Sequence, residues 1–587
     1  MSEPGLGAQR PDRAARALLG LAAVAVAFAA ADTYVVVLAL PDMMAASGLS
    51  VEELQRAAPI VSGFLLGYVA MLPLIGRIAD LRGRTPVLLA SLVLFAVGSL
   101  VTAAAYDLPS LVVGRFLQGV GGGGLVPVTL ALVADLYPPE RRGVPLGVVG
   151  AVQELGSVLG PLLGALVLAV GDWRDIFWLN LAVGLLLAAA IRTLAVRSAA
   201  PSVEPARTRR PDLVGLLLLA LLVTGVLLVM RQPRGLVTSV QWGGPFVPYA
   251  DGGSIWLSPV GTVTVLLGAA LLAWLLLAPR PLVDLRRWGL AAREADLVGA
   301  GLLALALGGV ILAFATADPE VQVFSPAGPW YLGGSAVATA LLLLHQRRAA
   351  DPLVPRGAFA ERPAWGAVVV SFFVGSALIA ALVDIPIFAR LTVAEGSQLE
   401  AALVLVEFLV ALPVGALLGG YLVRRLPHGP VAAAGMLLAS AGFVLMARWD
   451  AASLESLLSV AVLAMTGLGF GLALAPVNAA LLAATRPAVH GVASALLVVA
   501  RMVGMLVGIS ALTTIGLRRY YAVQTDVPSP NEVCGGNRTR CAEYTALIEQ
   551  AGLTQLTTIF AGAAVCALVA ALLALVTLRR RQHSPLG

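Results

Sequence analysis

Six ionisable residues interrupt long apolar stretches of this sequence: Asp32, Arg115, Glu154, Asp384, Glu407 and Arg501. A charge in hydrocarbon is costly, so such residues pair with one another, face water or handle protons. A carboxylate there can take up and release a proton, whereas an arginine stays charged and serves as a fixed counter-charge. Glu154 lies about ten residues into its apolar run, roughly 15 Å deep at 1.5 Å per residue. Arg501 lies at a similar depth in a late run. Equal depth predicts an ion pair in which burial is tolerable only for the two together. Protonation of Glu154 would then release Arg501; a static pair joining two helices is the alternative. Asp32 and Asp384 lie nearer the opposite ends of their runs, as proton or cation sites or as residues wetted from outside. Arg115 either handles protons or braces its helices, and Glu407 reads as facing a loop-lined crevice.

Other chemistry is excluded by residue type. His345, His428 and His490 sit at run ends without metal-ligand spacing, and no nucleophile–base set is evident. All 39 basic residues are arginine, so the Lys of a phosphate-binding G-x-x-x-x-G-K-[ST] loop is missing. The run Gly121–Gly124 lies in an apolar span, where close packing or a hinge explains it better than a nucleotide. No cofactor, metal or enzymatic activity is expected, and an ion gradient is the remaining energy source.

The elements that must position these residues are membrane spans. Hydrophobic residues make up 59% of the 587 and charged residues only 12%, against about 25% charged in soluble domains. Mean hydropathy is +0.91. A span needs about 20 mainly apolar residues. Six are read at roughly 14–40, 58–76, 86–106, 110–136, 144–170 and 174–195. Four follow at 213–231, 256–279, 296–316 and 329–347, and six more near 364–389, 398–423, 430–448, 455–483, 489–516 and 555–578. The first run is too long for the core of a cleavable signal. Sixteen spans put both termini on one side. The arginine clusters at Arg77/Arg82/Arg84, Arg207/Arg209/Arg210, Arg286/Arg287, Arg347/Arg348 and Arg579/Arg580/Arg581 then all fall on that side, which makes it cytosolic. Positive loops between spans account for the net charge of +6 without nucleic acid.

Three regions follow: residues 1–197 as a six-helix bundle, 198–362 as a linker of four spans, and 363–582 as a second six-helix bundle. The linker is internally duplicated. Asp212-Leu-Val-Gly recurs as Asp296-Leu-Val-Gly, and Pro281-Leu-Val-Asp recurs as Pro352-Leu-Val-Pro. Its two outer loops are aromatic (Trp242, Phe246, Tyr249 and Trp256; Phe324, Trp330 and Tyr331), as residues at a membrane boundary are. A platform for an external partner is the other use of such loops. Cys534 and Cys541 flank a short outer loop where an oxidising exterior permits a disulfide, favoured here over free thiols. Cys566 is within the last span. Asn537-Arg-Thr539 fits a glycosylation sequon.

Gly76-Arg-Ile-Ala-Asp80-Leu-Arg82-Gly83-Arg84 joins two spans by a tight turn, with glycines for close helix approach and charges to bridge them. It resembles the G-x-x-x-D-x-x-G-R loop of the major facilitator superfamily, which moves solutes by alternating access. Ala31-Asp32-Thr33-Tyr34-Val35 and the residues to Pro41 resemble the first helix of the larger drug:proton antiporters. Arg115-Phe-Leu-Gln118-Gly119 resembles the superfamily's R-x-x-Q-G. Gly156-Ser-Val-Leu-Gly160-Pro161-Leu-Leu-Gly164 resembles the antiporter motif, whose small residues permit backbone-to-backbone packing and whose proline allows a bend. Trp173-Arg174-Asp175-Ile-Phe-Trp178-Leu-Asn180 resembles the opening of helix 6 in that group. In the second half the loop motif is degenerate, with Arg424 in Gly420-Tyr-Leu-Val-Arg424 where the first copy has Asp80.

A narrower resemblance is to the mycobacterial triacylglyceride and multidrug exporters that work with a periplasmic lipoprotein. Asp32-Thr-Tyr-Val-Val-Val, Gln153-Glu154-Leu-Gly-Ser-Val-Leu-Gly-Pro, Leu382-Val-Asp384 and Val499-Ala-Arg501-Met-Val-Gly-Met-Leu-Val-Gly carry it. That group has one linker hairpin where this sequence has two. The resemblance implies an all-α major facilitator fold of two six-helix bundles, to which the span count adds four linker helices. It implies a proton-coupled exporter of lipophilic or amphipathic molecules, with membrane lipids, protons and an external lipoprotein as partners. A cytosolic gate of Gly76, Asp80, Gly83 and Arg84 also follows. A monomer in the cytoplasmic membrane is expected. A sensor or scaffold that keeps the fold without transport is the alternative, disfavoured by the intact gate and antiporter motifs.

Overall fold

The computed structural model describes residues 13–49, 54–198, 212–250, 253–279, 281–315, 327–393, 398–525, 527–529, 533 and 542–579. The apolar runs become helices because hydrocarbon offers the backbone no partner outside the segment itself. Helices α1 (Arg13–Ala46), α2 (Leu54–Arg82), α3 (Arg84–Ala104), α4 (Leu108–Leu136), α5 (Gly143–Val170) and α6 (Trp173–Ser198) pack as one bundle. The middle of the chain holds α7 (Leu213–Arg231), α8 (Pro259–Leu277), α9 (Leu285–Glu294), α10 (Leu297–Ala315) and α11 (Gly328–Arg348). A second bundle comprises α12 (Arg362–Thr392), α13 (Gln398–Leu422), α14 (His428–Met446), α15 (Leu457–Ala483), α16 (His490–Gln524) and α17 (Ala542–Thr577).

The second bundle repeats the plan of the first. In one, α1 packs on α5 and α6, and α4 is wedged between α2 and α3; in the other, α12 packs on α16 and α17, and α15 is wedged between α13 and α14. The wedged helices carry glycines for a physical reason. A methyl group at Gly121 would overlap the backbone of Phe95, and one at Gly123 that of Tyr68. In α15, Gly467 and Gly469 meet the backbones of Phe408 and Ala439 in the same way. Close approach of this kind substitutes for a hydrophobic driving force inside lipid. The run Gly121–Gly124 is thus a packing surface.

Fifteen of the described helices are long and apolar enough to cross a membrane. The sixteenth expected span, near 329–347, is α11. Its Gly328-Pro-Trp-Tyr start and His345-Gln-Arg-Arg end leave too short an apolar stretch to count on its own. It lies antiparallel to α10, with Ser335 Oγ donating to Ala306 O at 2.6 Å. Helices α16 and α17 run 35 and 36 residues, well beyond the expected 489–516 and 555–578. At 1.5 Å per residue they exceed a ~30 Å hydrocarbon core by about 20 Å. Gly516 against Ile559 and Gly562 against Leu512 hold the two together, so helix continues where polar sequence had suggested loop. The sequence reading also omitted α9, a ten-residue surface helix whose Trp288 stacks under Arg82 at 4.7 Å.

The duplicated linker segments perform one local task twice. Asp212 caps α7 by accepting from Gly215 N, and also accepts from Leu282 N (both 2.9 Å) and Trp274 Nε1 (3.0 Å). Asp296 caps α10 by accepting from Gly299 N, accepts from Leu353 N (both 2.9 Å), and pairs with His345 Nε2 at 2.7 Å. Each aspartate closes its hairpin, one against a tryptophan and the other against a histidine. Since Trp274 and His345 occupy equivalent places, His345→Trp should leave stability within about 1 kcal/mol, whereas His345→Ala should cost about 1–3 kcal/mol through the unpaired aspartate. Thermal unfolding of the two purified variants checks this; equal loss in both would refute the equivalence.

Candidate functional site

The two bundles meet along two seams, α2 against α16 and α5 against α13. Both seams close toward the end of the molecule that carries the arginine-rich turns. At the first, Asp80 from α2 accepts from Gly491 N (2.8 Å) and Val492 N (3.0 Å). These are first-turn amides of α16, which have no partner within their own helix and carry its positive dipole end. Arg84 bonds the same carboxylate, reaches Asp135 Oδ2 at 3.2 Å, and donates to Pro487 O of the other bundle at 3.3 Å. Gly83, at φ +89, makes the turn that lets α3 begin at Arg84. Gly76 packs so closely on Gly491 that a side chain would strike its carbonyl. All four expected gate residues therefore meet at one junction between the bundles.

The second seam is built differently. Gly420 faces Gly143 and Ala416 faces Gly147, backbone to backbone, with no room for a methyl at Gly143 or Gly147. Gly420 is the counterpart of Gly76, and Arg424 stands where Asp80 would. The first turn of α5 accordingly has no side-chain cap. Arg142 supplies the polar tie here, donating to Ala134 O and Tyr137 O (both 2.9 Å) and to Leu482 O of the other bundle (3.5 Å).

Deeper in the first bundle, Asp32 and Arg115 form an ion pair the sequence reading did not foresee. Arg115 Nη1 lies 2.7 Å from Asp32 Oδ2 and donates to Gln118 Oε1 at 2.8 Å. Asn180 Nδ2 donates to Asp32 Oδ1, and Gln118 Nε2 donates to Ser99 Oγ at 2.8 Å. The guanidinium lies 4.3 Å from the Phe64 ring centre. Asp32 and Arg115 are each only 1% exposed, so of the two readings of Asp32, a proton or cation site or a residue wetted from outside, the second is corrected: α1, α3, α4 and α6 enclose it. The R-x-x-Q spacing places Arg115 and Gln118 on one face, the signal that could have revealed the network.

Glu154 and Arg501 come from opposite bundles to line one cavity of about 30 Å³ between α4, α5, α12, α15 and α16. That volume holds a water or two. Gln153, Ser371 and Asn478 share the lining. The expected ion pair is not made in this conformation. Both side chains are buried, and their charges attract across the gap without direct contact. The reason lies in how each helix is anchored. Gly156 and Gly160 press α5 onto Ala27 and Ala31 of α1, and Gly504 and Gly508 press α16 onto Phe372 and Ser376 of α12. Each polar side chain is thereby held on the wall of its own bundle. The glycine pair of the antiporter motif is thus echoed in α16, with Arg501 three residues before its first glycine as Gln153 is before Gly156. Pro161 and the buried Gly164 follow in α5.

Asp384 is buried in α12 with no ion pair or hydrogen bond among the described residues, and Glu407 is half-buried in α13. Neither joins the two clusters. Cys534 and Cys541 lie outside the described residues. Among the described residues no group of side chains is arranged to hold a metal.

Fold and site together define a polytopic membrane protein of two pseudo-equivalent helical bundles joined along two seams. The chain belongs to the Major Facilitator Superfamily, which it matches over residues 22–509. It is 34% identical to a triacylglyceride transporter of Mycolicibacterium hassiacum, over 98% of this chain and 94% of that one. It is 32% identical to a triacylglyceride transporter of Mycobacterium tuberculosis, over 97% and 96% respectively. Among solved structures it is similar to the human organic anion transporter MFSD10, with a TM-score of 0.54 at 15% identity over 95% and 99% of the two chains. The proton:xylose symporter XylE gives a TM-score of 0.50 at 14% identity over 94% of each.

Two outcomes follow from the geometry. Asp32→Ala should cost about 3–5 kcal/mol by stranding Arg115, while Asp32→Leu combined with Arg115→Met should cost far less than the two single changes added; thermal unfolding in detergent measures this, and simple additivity would refute the network. Asp80→Ala should weaken the α2–α16 junction by about 1–2 kcal/mol, a factor of roughly 5–30 in the open population. Spin labels at Leu81 and Arg486 should then report a longer-distance fraction, and an unchanged distance distribution would show that Asp80 does not hold the seam.

Proposed function

We propose that this protein is a proton-coupled, alternating-access exporter of lipophilic or amphipathic molecules, triacylglyceride-like lipids foremost and drugs in addition, across the cytoplasmic membrane. The arginine-rich face is the cytosolic one, with both termini on that side, as the positive-inside bias favours. The observation that carries this reading is the placing of Glu154 and Arg501 on opposite bundles across one small cavity, above a seam latched by Asp80. The near full-length likeness to proteins named triacylglyceride transporters supports the substrate class.

The chemistry is one proton transferred to one carboxylate. With Glu154 ionised, its attraction to Arg501 draws α5 and α16 together; protonation neutralises the carboxylate and removes that attraction. Because the two helices belong to different bundles, a change at this pair changes the free-energy difference between closed and open seams. A ligand or proton can shift such an equilibrium only by its differential interaction with the two states. The cavity is too small for a lipid in this conformation, since pockets that bury drug-sized ligands span about 300–1,000 Å³. Cargo therefore enters at this level only when the arginine-rich face has opened.

In proteoliposomes carrying labelled triacylglycerol, an imposed pH gradient should stimulate transfer by the native protein. Glu154→Gln should remove that stimulation by about tenfold or more while the protein remains folded and inserted, matching the loss of an interaction of about 1.4 kcal/mol or more. Full gradient-dependent transfer by Glu154→Gln would rule out its coupling role.

A further inference from the structure

The hairpin α10–α11 leans across the first seam, α10 packing on both α2 and α16. Beside that contact lies a pocket unrelated to the central cavity, with a volume of about 700 Å³. Leu303 of α10, Leu342 and Leu343 of α11, Leu496 of α16 and Phe359 of the following loop form its walls. Arg347 and Arg356 stand among its lining residues at the arginine-rich end. Leu303 and Leu496 each lie six residues beyond the start of their helix, so the floor is about 9 Å below the helix ends. That depth passes the headgroup layer and reaches hydrocarbon.

The rim is chemically distinct from the walls. Arg356 Nη2 donates to Arg347 O at 2.7 Å and to Ala349 O at 3.1 Å, which fixes the Arg356 guanidinium beside the end of α11. Neither Arg347 nor Arg356 has a carboxylate partner among the described residues, although Asp351 and Glu361 belong to the same loop. Two uncompensated guanidiniums above a deep apolar slot match one molecular shape: an anionic head on hydrocarbon tails. A neutral glyceride offers the guanidiniums ester carbonyls but no counter-charge, and a free anion leaves the leucine walls unfilled.

We propose that this pocket binds an anionic glycerophospholipid from the leaflet at the arginine-rich face. Its phosphate lies between Arg347 and Arg356, and an acyl chain runs along Leu303, Leu343 and Leu496. Basic pockets between membrane helices on that side recognise such headgroups. Because the walls come from both the linker hairpin and α16, the lipid fastens the hairpin to the second bundle. The site is independent of what the central cavity carries.

The test uses the full-length protein purified from membranes, with bound lipid identified by native mass spectrometry. Phosphatidylglycerol and phosphatidylcholine of identical chains are supplied in competition, and glycerol 3-phosphate serves as the headgroup control. Phosphatidylglycerol should be retained about tenfold over phosphatidylcholine, and its addition should raise the unfolding temperature. Arg347→Gln combined with Arg356→Gln should abolish that preference while unfolding as the native protein does in phosphatidylcholine alone. Leu343→Trp, which keeps both charges and fills the slot, should lose retention as well. Equal retention of the two lipids, undiminished preference in the double variant, or protection by glycerol 3-phosphate equal to that by the lipid would overturn the proposal.

Discussion

A single carboxylate from one bundle, seated on the opening amides of a helix in the other, organises this molecule. Asp80 satisfies two N–H groups of α16 that have no partner within their own helix, and it meets the positive end of that helix dipole. Arg84 then compensates Asp80 and binds a carbonyl on the far side of the seam. With the seam held there, the cavity above it shrinks to the size of a water or two, and Glu154 and Arg501 are left facing one another across it.

The buried polar groups divide into two kinds. Around Asp32, each carboxylate oxygen has a donor, and Arg115 and Gln118 are bonded in turn to one another and to Ser99. A network satisfied to this degree rigidifies the helices that carry it. Glu154, Arg501 and Asp384 are buried without such partners among the described residues. Groups left in that condition hold free energy that a rearrangement can release, whereas a network satisfied at all but Arg115 Nε resists rearrangement. The nearly satisfied set lies within one bundle, whereas Glu154 and Arg501 lie where the two bundles face each other.

Much of this was legible in the chain itself. Apolar run length gave the helices, because hydrocarbon forces each run to satisfy its own backbone. The loop from Gly76 to Arg84 pointed to a close junction, since glycines permit close helix approach and an aspartate and an arginine at those spacings can bridge it. Repetition of Asp-Leu-Val-Gly pointed to the twin hairpins. What could not be read was pairing across distant sequence. Asp32 and Arg115 are joined through four helices, and the partners of Asp80 are backbone amides, which no residue type advertises. Depth along a helix placed Glu154 and Arg501 at one level but could not show that glycine-packed helices hold them apart. The lengths of α16 and α17 were also missed, because a helix projecting beyond the bilayer loses its apolar signature while keeping its hydrogen bonds.

The unequal construction of the two seams has a mechanical consequence. On the α5–α13 side, Gly143 and Gly420 adhere through dispersion, of which a gap of about 0.5–1 Å already forfeits roughly a quarter to a half, beside the one long Arg142 tie to Leu482 O. On the α2–α16 side, a charge faces a helix dipole, and that attraction fades more gradually with distance. A slight parting would therefore weaken the glycine edge first, while the aspartate edge still pulls back. Any separation of the bundles would begin at the glycine edge, as a book opens from the side away from its spine, instead of proceeding evenly.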